Sequence, residues 1–461
     1  MSKTTILLMA IVVVGAVGAA AYYSLRSGQE GTPEAEGSSS ELPLFSVQEG
    51  TAQKEDEAAP FPTQAPTTTS PTPAPQTSPQ SAVPAKKAVS LGDNAAYYRA
   101  SGSSSDDLRE FQHGLSFVPL PSGEYYLIWS SSGNPPQGSG EGGNWTHDIY
   151  YSRIDPASPR IRPATLISRP EAQEPASAAI SSSGAILVTT EDGWNTSYEV
   201  SQRYALFNRT LEPVRSYPQT VMDGGHSGHV ASAGGRFVVF FSEGWVDGGG
   251  VDDLGSGDDV YATIIASDGQ IVQRVPVSVG NDARDWWPVV AGSQSAAALV
   301  WQRFVNGKES TDLYLSILDP KTGTIVKSQQ KLASGVKYYT YNVSYVPAID
   351  RFLIQGSYAS GGGFAYLVDI SGTVTASNTS LPAIVRESEP ILKGTTAVQA
   401  TSPSGLAVYN LSQNSITLAR TIKDPYVWNY MGTGGIFVDS DTVYIVSLSS
   451  RGLLEKLFTI Q

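Results

Sequence analysis

The sequence predicts an all-β protein, a β-propeller of about seven four-stranded blades, preceded by one N-terminal transmembrane helix and a disordered Pro/Thr-rich stalk. Two observations carry this. A short apolar strand recurs seven times at intervals of roughly 45–60 residues, and no stretch beyond the first 26 residues shows sustained helical periodicity. The composition agrees: 45 Gly, 29 Pro and 23 Tyr among 461 residues suit many strands joined by tight turns.

The first segment, 1–26, contains a run from Ile6 to Leu25 with no charged residue. Twenty residues at about 1.5 Å each span a hydrocarbon core about 30 Å thick. Lys3 precedes the run and Glu30, Glu34 and Glu36 follow it, so the positive-inside tendency places the N-terminus in the cytoplasm and the bulk of a single-pass protein outside the cell membrane. The competing reading is a cleaved signal peptide, because Ala19-Ala20-Ala21 offers a small-residue cleavage site. Both readings export the rest of the chain.

Residues 27–90 are rich in Glu, Ser, Thr, Gln and Pro, with eight prolines between Pro60 and Pro84. Proline-rich chain favours extended polyproline II, which makes this stretch a semi-stiff spacer. Ser and Thr interspersed with Pro also form O-glycosylated stalks.

From 91 to 461 the pattern changes to short strands. Asp148-Ile149-Tyr150, Asp259-Val260-Tyr261 and Asp312-Leu313-Tyr314 are copies of one motif, and Tyr204 fills the gap, giving Tyr spacings of 54, 57 and 53 residues. A second strand keeps the same beat at Tyr126–Trp129, Ala185–Val188, Phe237–Phe241, Ala298–Trp301, Phe352–Ile354, Ala397–Ala400 and Val443–Val446. Units this small cannot bury their own faces, and radial stacking is the propeller solution. The last unit lacks an outer strand, which the stretch around Ala88–Tyr98 can supply to close the ring. A short sixth unit leaves six blades, or two sandwiches, as alternatives.

With its Asp-Pro-x-x-Gly and Ser-Asp-Gly turns (Asp319 to Gly323, Ser267 to Gly269), the repeat resembles those of exported prokaryotic β-propellers. The resemblance implies the fold and nothing specific about activity. Sialidase-type Asp-boxes and integrin-like calcium repeats are absent from the sequence.

Composition excludes several classes of function. A net charge of −13 with no basic block argues against nucleic acid as a partner. Zero cysteines exclude disulfides, thiolate metal sites and thiol catalysis. Six Asn-x-Ser/Thr sequons use half of the 12 asparagines; Asn144, Asn195, Asn208, Asn378 and Asn410 are the candidate glycosylation sites, while Asn342 falls at the start of a strand.

Residues leading into the first strand of each blade collect at one end of the central channel. These include Glu174, His229, Trp287, Asn342, Glu389 and Tyr430, with His226 and Asp285 close by, and all eight tryptophans fall at or near the same face. Aromatic rings mixed with carboxylates and amides suit saccharides. Glu174 and Glu389 are the carboxylates a glycosidase would need. Asp247, Asp252, Asp253 and Asp258 lie in one Gly-rich loop, and calcium accepts such irregular oxygen cages. The function expected is a tethered, non-enzymatic propeller that binds a surface ligand, a glycan or an envelope protein. A tethered carbohydrate-active enzyme and a purely structural envelope component are the alternatives.

Overall fold

The computed structural model describes residues 96–98, 114–131, 148–171, 173–193, 200–244, 259–281, 283–305, 308–424, 432–449 and 452–461. The anchor and stalk readings of 1–90 fall outside them. Among the described residues every helix-or-strand element is a strand, and no helix is long and apolar enough to cross a membrane.

The strands pair as antiparallel meanders in chain order. The first sheet runs Leu115–Pro119, Tyr125–Ser131, Asp148–Ile154 and Ala164–Ile167. Three more four-stranded sheets repeat this pattern, and a seven-stranded sheet runs from Asp285–Gly292 to Val374–Leu381. In that sheet the 23-residue strand Thr324–Val346 is the outer strand of one meander and the inner strand of the next, with a register shift between Val336 and Tyr341. The last sheet takes three strands from the C-terminal end, Thr433–Phe437, Thr442–Ser449 and Gly452–Thr459. Its outer position is filled by Ala96–Tyr98 from the other end of the chain, with Ala96 opposite Glu455.

The inner strands surround one channel: Phe117, Ala178, Ser232, Val290, Val343, Ile391 and Phe437 all line it. The fold is therefore a β-propeller.

Burial follows position in the blade. The second strand Ile186–Asp192 is buried at every residue, because both of its faces meet neighbouring sheets. The outer strand Pro213–Asp223 is exposed at most alternate positions. The apolar clusters lie between blades. One joins Val238 and Phe240 to Leu299 and Trp301; another joins Leu127 and Trp129 to Ile436, Tyr444 and Leu453, packing the first blade on the last.

The Tyr of the sequence repeat has a clear physical role. Tyr150, Tyr261 and Tyr314 sit directly opposite Trp129, Phe241 and Trp301 on the neighbouring strand. Each pair stacks at an interplanar angle of 23°, with centroids 5.9, 6.2 and 5.7 Å apart. Such cross-strand aromatic pairs stabilise a sheet beyond simple area burial. Two of the three motif Asp residues serve the backbone, while Asp312 pairs with Lys331 Nζ at 3.2 Å. Asp148 accepts from the Arg169 backbone N–H and Asp259 from that of Gly280. This ties the third strand to the segment leading into the next blade. The turn aspartates Asp268 and Asp319 accept the N–H two residues on, at 2.9 and 2.8 Å.

Glu455 stitches the closure. Its buried carboxylate accepts from Tyr444 Oη at 2.6 Å within its own blade, and from Arg160 at 3.0 Å and the Ile161 N–H at 3.1 Å in the first. Removing it strands a buried hydroxyl and a buried N–H. Glu455→Ala should lower the unfolding free energy by about 2–3 kcal/mol, read by urea denaturation; a loss within error would show that the seam is held by apolar packing alone.

Candidate functional site

The backbone at the start of the inner strands is unusual. Ser227, Trp287, Tyr339 and Glu387 have φ values of 55°, 54°, 56° and 54°. They recur at spacings of 60, 52 and 48 residues in four consecutive blades. Left-handed backbone costs a side-chain-bearing residue about 1–2 kcal/mol, so something must hold it. Buried side chains of neighbouring blades do so at two of these sites: Glu191 Oε2 accepts the Ser227 N–H at 2.6 Å, and Gln302 Oε1 accepts that of Tyr339 at 3.0 Å. Gln202 Oε1 takes the adjacent Gly228 N–H at 3.0 Å. The extra residue shifts the register between His226 and His229 and between Trp286 and Val289.

This arrangement brings His229, Trp287, Asn342, Glu387 and Glu389, from four inner-strand segments, into the wall of one cavity of about 110 Å³ at the channel mouth. Trp287 is only 4% exposed. Tyr339 meets its ring edge-to-face at 5.4 Å and His229 at 5.3 Å, so Trp287 is a wall rather than an open stacking platform. His229 Nδ1 lies 2.8 Å from the Pro288 carbonyl, which sets that nitrogen as the proton-bearing donor. The Asn342 amide donates to the Ser388 carbonyl and is buried, which removes its sequon from the surface.

Glu389 differs from its neighbours. Its side chain is exposed to the lumen, where it lines both the mouth cavity and the wider channel beyond it. Desolvation raises its pKa from 4.5 to about 7.

Three sequence-derived candidates are reassigned. Asp285 is wholly buried, with its two oxygens held by Arg303 at 2.6 and 2.7 Å; it is half of a structural ion pair and not a ligand-binding group. His226 is fully buried with its ring 4.2 Å from that of Trp286. Burial, with a smaller contribution from the Arg284 guanidinium, lowers its pKa to about 3, so it stays neutral and belongs to the core. Glu174, on the strand Gln173–Ile180 opposite Glu191, does not line the mouth cavity, and the geometry does not pair it with Glu389. Trp129 and Trp301 are buried between blades rather than displayed at a face.

Tyr430, the acidic loop Asp247, Asp252, Asp253 and Asp258, and the sequons Asn144 and Asn195 lie outside the described residues. Among the described residues no cluster of His, Asp or Glu is arranged to hold a metal. Of the other sequons, Asn208 is engaged in its own turn with Thr210 and Glu212, and Asn378 donates to the Ile416 carbonyl at 3.2 Å. Asn410 is exposed. Sequence reasoning passed over Glu387 and Tyr339. Their only signal was the shared beat with Ser227 and Trp287, since no glycine marks the left-handed position.

No family model and no curated protein matches the chain. Among solved structures it is similar to one described as the mitotic checkpoint complex, at 9% identity over 82% of this chain and 97% of that one, with a TM-score of 0.48. A protein of unknown function from Dyadobacter fermentans is similar at 10% identity, over 79% and 97%, with a TM-score of 0.47. The Hadza microbial sialidase Hz136 is similar at 11%, over 68% and 74%, with a TM-score of 0.42. At such identities and TM-scores none of them carries an argument about activity; the fold stands on the strand pairing of the chain itself.

Two measurements check the assignments. Asp285→Ala leaves the Arg303 guanidinium without its partner and should cost about 3–5 kcal/mol of stability; a near-neutral result in chemical denaturation would make Asp285 a candidate ligand group again. Because the Glu389 pKa rises on folding from 4.5 to about 7, its ionisation opposes folding. The folded state should lose stability as pH climbs through that window and lose no more above it. The difference in melting temperature between wild type and Glu389→Gln isolates this group, and a difference that stays flat with pH contradicts the raised pKa.

Proposed function

We propose that the chain is a membrane-tethered, extracytoplasmic propeller of seven blades whose channel mouth binds a cell-surface glycan without turning it over. The observation that carries this reading is the convergence of His229, Trp287, Asn342 and Glu389 on one small cavity. At about 110 Å³ the cavity is below the usual range for an enclosed small-molecule site. It suits the protruding group of a polymer lying across the mouth. The tether rests on the uncharged run Ile6–Leu25 and the Pro-rich stretch after it.

One observation favours a second reading, a tethered carbohydrate-active enzyme at the same face. A carboxyl with a pKa of about 7 suits a general acid. Against it, the other carboxylate in the cavity wall, Glu387, is held by Arg386 at 2.9 Å.

The test is a glycan array probed with the detergent-solubilised full-length chain, followed by His229→Ala and Glu389→Gln against the best hit. Binding should weaken about tenfold in His229→Ala, equivalent to one lost charged or polar contact, and no variant should release product. Product that disappears in Glu389→Gln while binding survives establishes the enzyme. A blank array, with an envelope protein captured in its place, overturns the glycan reading.

A further inference from the structure

Two buried polar atoms of residues in the wall of the mouth cavity have no hydrogen-bond partner among the described residues: Asn342 Oδ1 and Ser388 Oγ. Asn342 is 5% exposed and Ser388 is fully buried. Buried polar groups are nearly always paired, because an unpaired one loses its hydration with nothing in return. Other serines of the same wall obey this rule. Ser116 Oγ accepts the Ala178 N–H at 3.1 Å and Ser177 Oγ that of Val230 at 3.0 Å, each tying one blade to the next. The two exceptions are firmly held. Asn342 Nδ2 faces two acceptors, the Ser388 carbonyl and, at 3.5 Å, Gln399 Oε1, which fixes the amide and leaves Oδ1 over. Ser388 bridges Thr433 of the last blade, where the Glu389 N–H donates to the Thr433 carbonyl at 2.8 Å. The backbone around Ser388 is thus engaged with both neighbouring blades, and its hydroxyl with neither.

The two atoms have different requirements: Oδ1 needs a donor, and the hydroxyl has a proton to give to an acceptor. Beside them Leu115, Ala176, Val230 and Val289 supply apolar surface, so polar and apolar groups share the wall. A lone hydroxyl leaves the apolar part uncovered. A carboxylate meets Glu387 and Glu389 in the same wall, and a cation offers the Ser388 proton no acceptor. A secondary amide with a methyl end matches all three features and is small enough for a cavity of about 110 Å³. We infer that the mouth cavity takes an acetamido group, so that the glycan recognised contains N-acetylated amino sugars. The amide N–H donates to Asn342 Oδ1, the Ser388 hydroxyl donates to the amide carbonyl, and the methyl lies against the apolar wall. The assignment rests on the glycan reading of the mouth and names the sugar that the mouth selects.

The experiment probes the detergent-solubilised full-length chain with matched sugars that carry an acetamido group or a hydroxyl at the same carbon. Chitotriose is set against cellotriose, N-acetyllactosamine against lactose, and N-acetylgalactosamine against galactose, beside the wider glycan array. In at least one pair the acetamido member should bind about tenfold more tightly than its hydroxyl counterpart. Ser388→Ala should erase most of that preference without lowering the melting temperature, because the hydroxyl has no protein partner to lose. A serine with a merely structural role gives the reverse, lower stability with the preference intact. Val289→Phe, which fills the apolar side of the mouth cavity and does not line the wider channel, should abolish binding of the acetamido member. Equal affinity within every pair, or array hits confined to glycans without acetamido groups, overturns the inference and leaves the glycan reading standing, with water as the partner of both atoms. A preference that persists in Ser388→Ala, or acetamido binding that survives a folded Val289→Phe, also overturns it. A blank array and no binding in any pair overturns the glycan reading itself, and the acetamido assignment with it.

Discussion

The sheets of this propeller are apolar on both faces, and among the described residues no helical layer covers them, so each depends on its neighbours for burial. That mutual dependence governs the rest of the structure. Second strands are buried along their whole length because they lie between two other sheets, while outer strands carry the polar and charged residues. A ring of such units has no end to leave bare, which is why three residues from near the start of the described fold, Ala96–Tyr98, are placed against the last strand of the chain. The apolar cluster between first and last blades and the Glu455 carboxylate then join what the sequence separates by almost 300 positions.

The channel mouth is a by-product of the same ring. Inner strands converge there, and a left-handed residue in four consecutive blades turns the chain as it enters the strand. Buried Glu191, Gln202 and Gln302 satisfy the N–H groups around the bulge, so these polar side chains in second and third strands serve the backbone and not a ligand. What is left for recognition is a short set of side chains facing the lumen. Among the described residues, Glu389 is the acid in that set with no ion-pair partner.

Much of the fold was legible because its repeats are physically enforced. At three of its four positions the Tyr of the motif stacks on the aromatic residue directly across the ladder, while Tyr204 faces Thr189 and donates to the Gly269 carbonyl at 2.7 Å. His229, Trp287, Asn342 and Glu389 were legible for the same reason, as occupants of one structural position. The failures have equally local causes. Asp285 occupies a mouth position, but nothing in the sequence connects it to Arg303, 18 residues away and on the adjacent strand. Alternation in a strand distinguishes two faces without saying that both are buried, so Trp129 and Trp301 read as displayed. His226 and His229 look equivalent in sequence, and only the register shift between them sends one to the core and the other to the lumen.

The 23-residue strand Thr324–Val346 has a mechanical consequence. Between other blades the contact is side-chain packing, a connecting segment and isolated backbone hydrogen bonds, such as Gly234 N–H to the Ser293 carbonyl at 3.0 Å. Here one backbone carries hydrogen bonds to both sheets, so two blades form a single stave of double width. Thermal breathing of the ring is therefore unevenly shared: the stave resists it, and the compliance falls on the remaining joints. The ring is therefore built of unequal parts, one double-width stave among single blades.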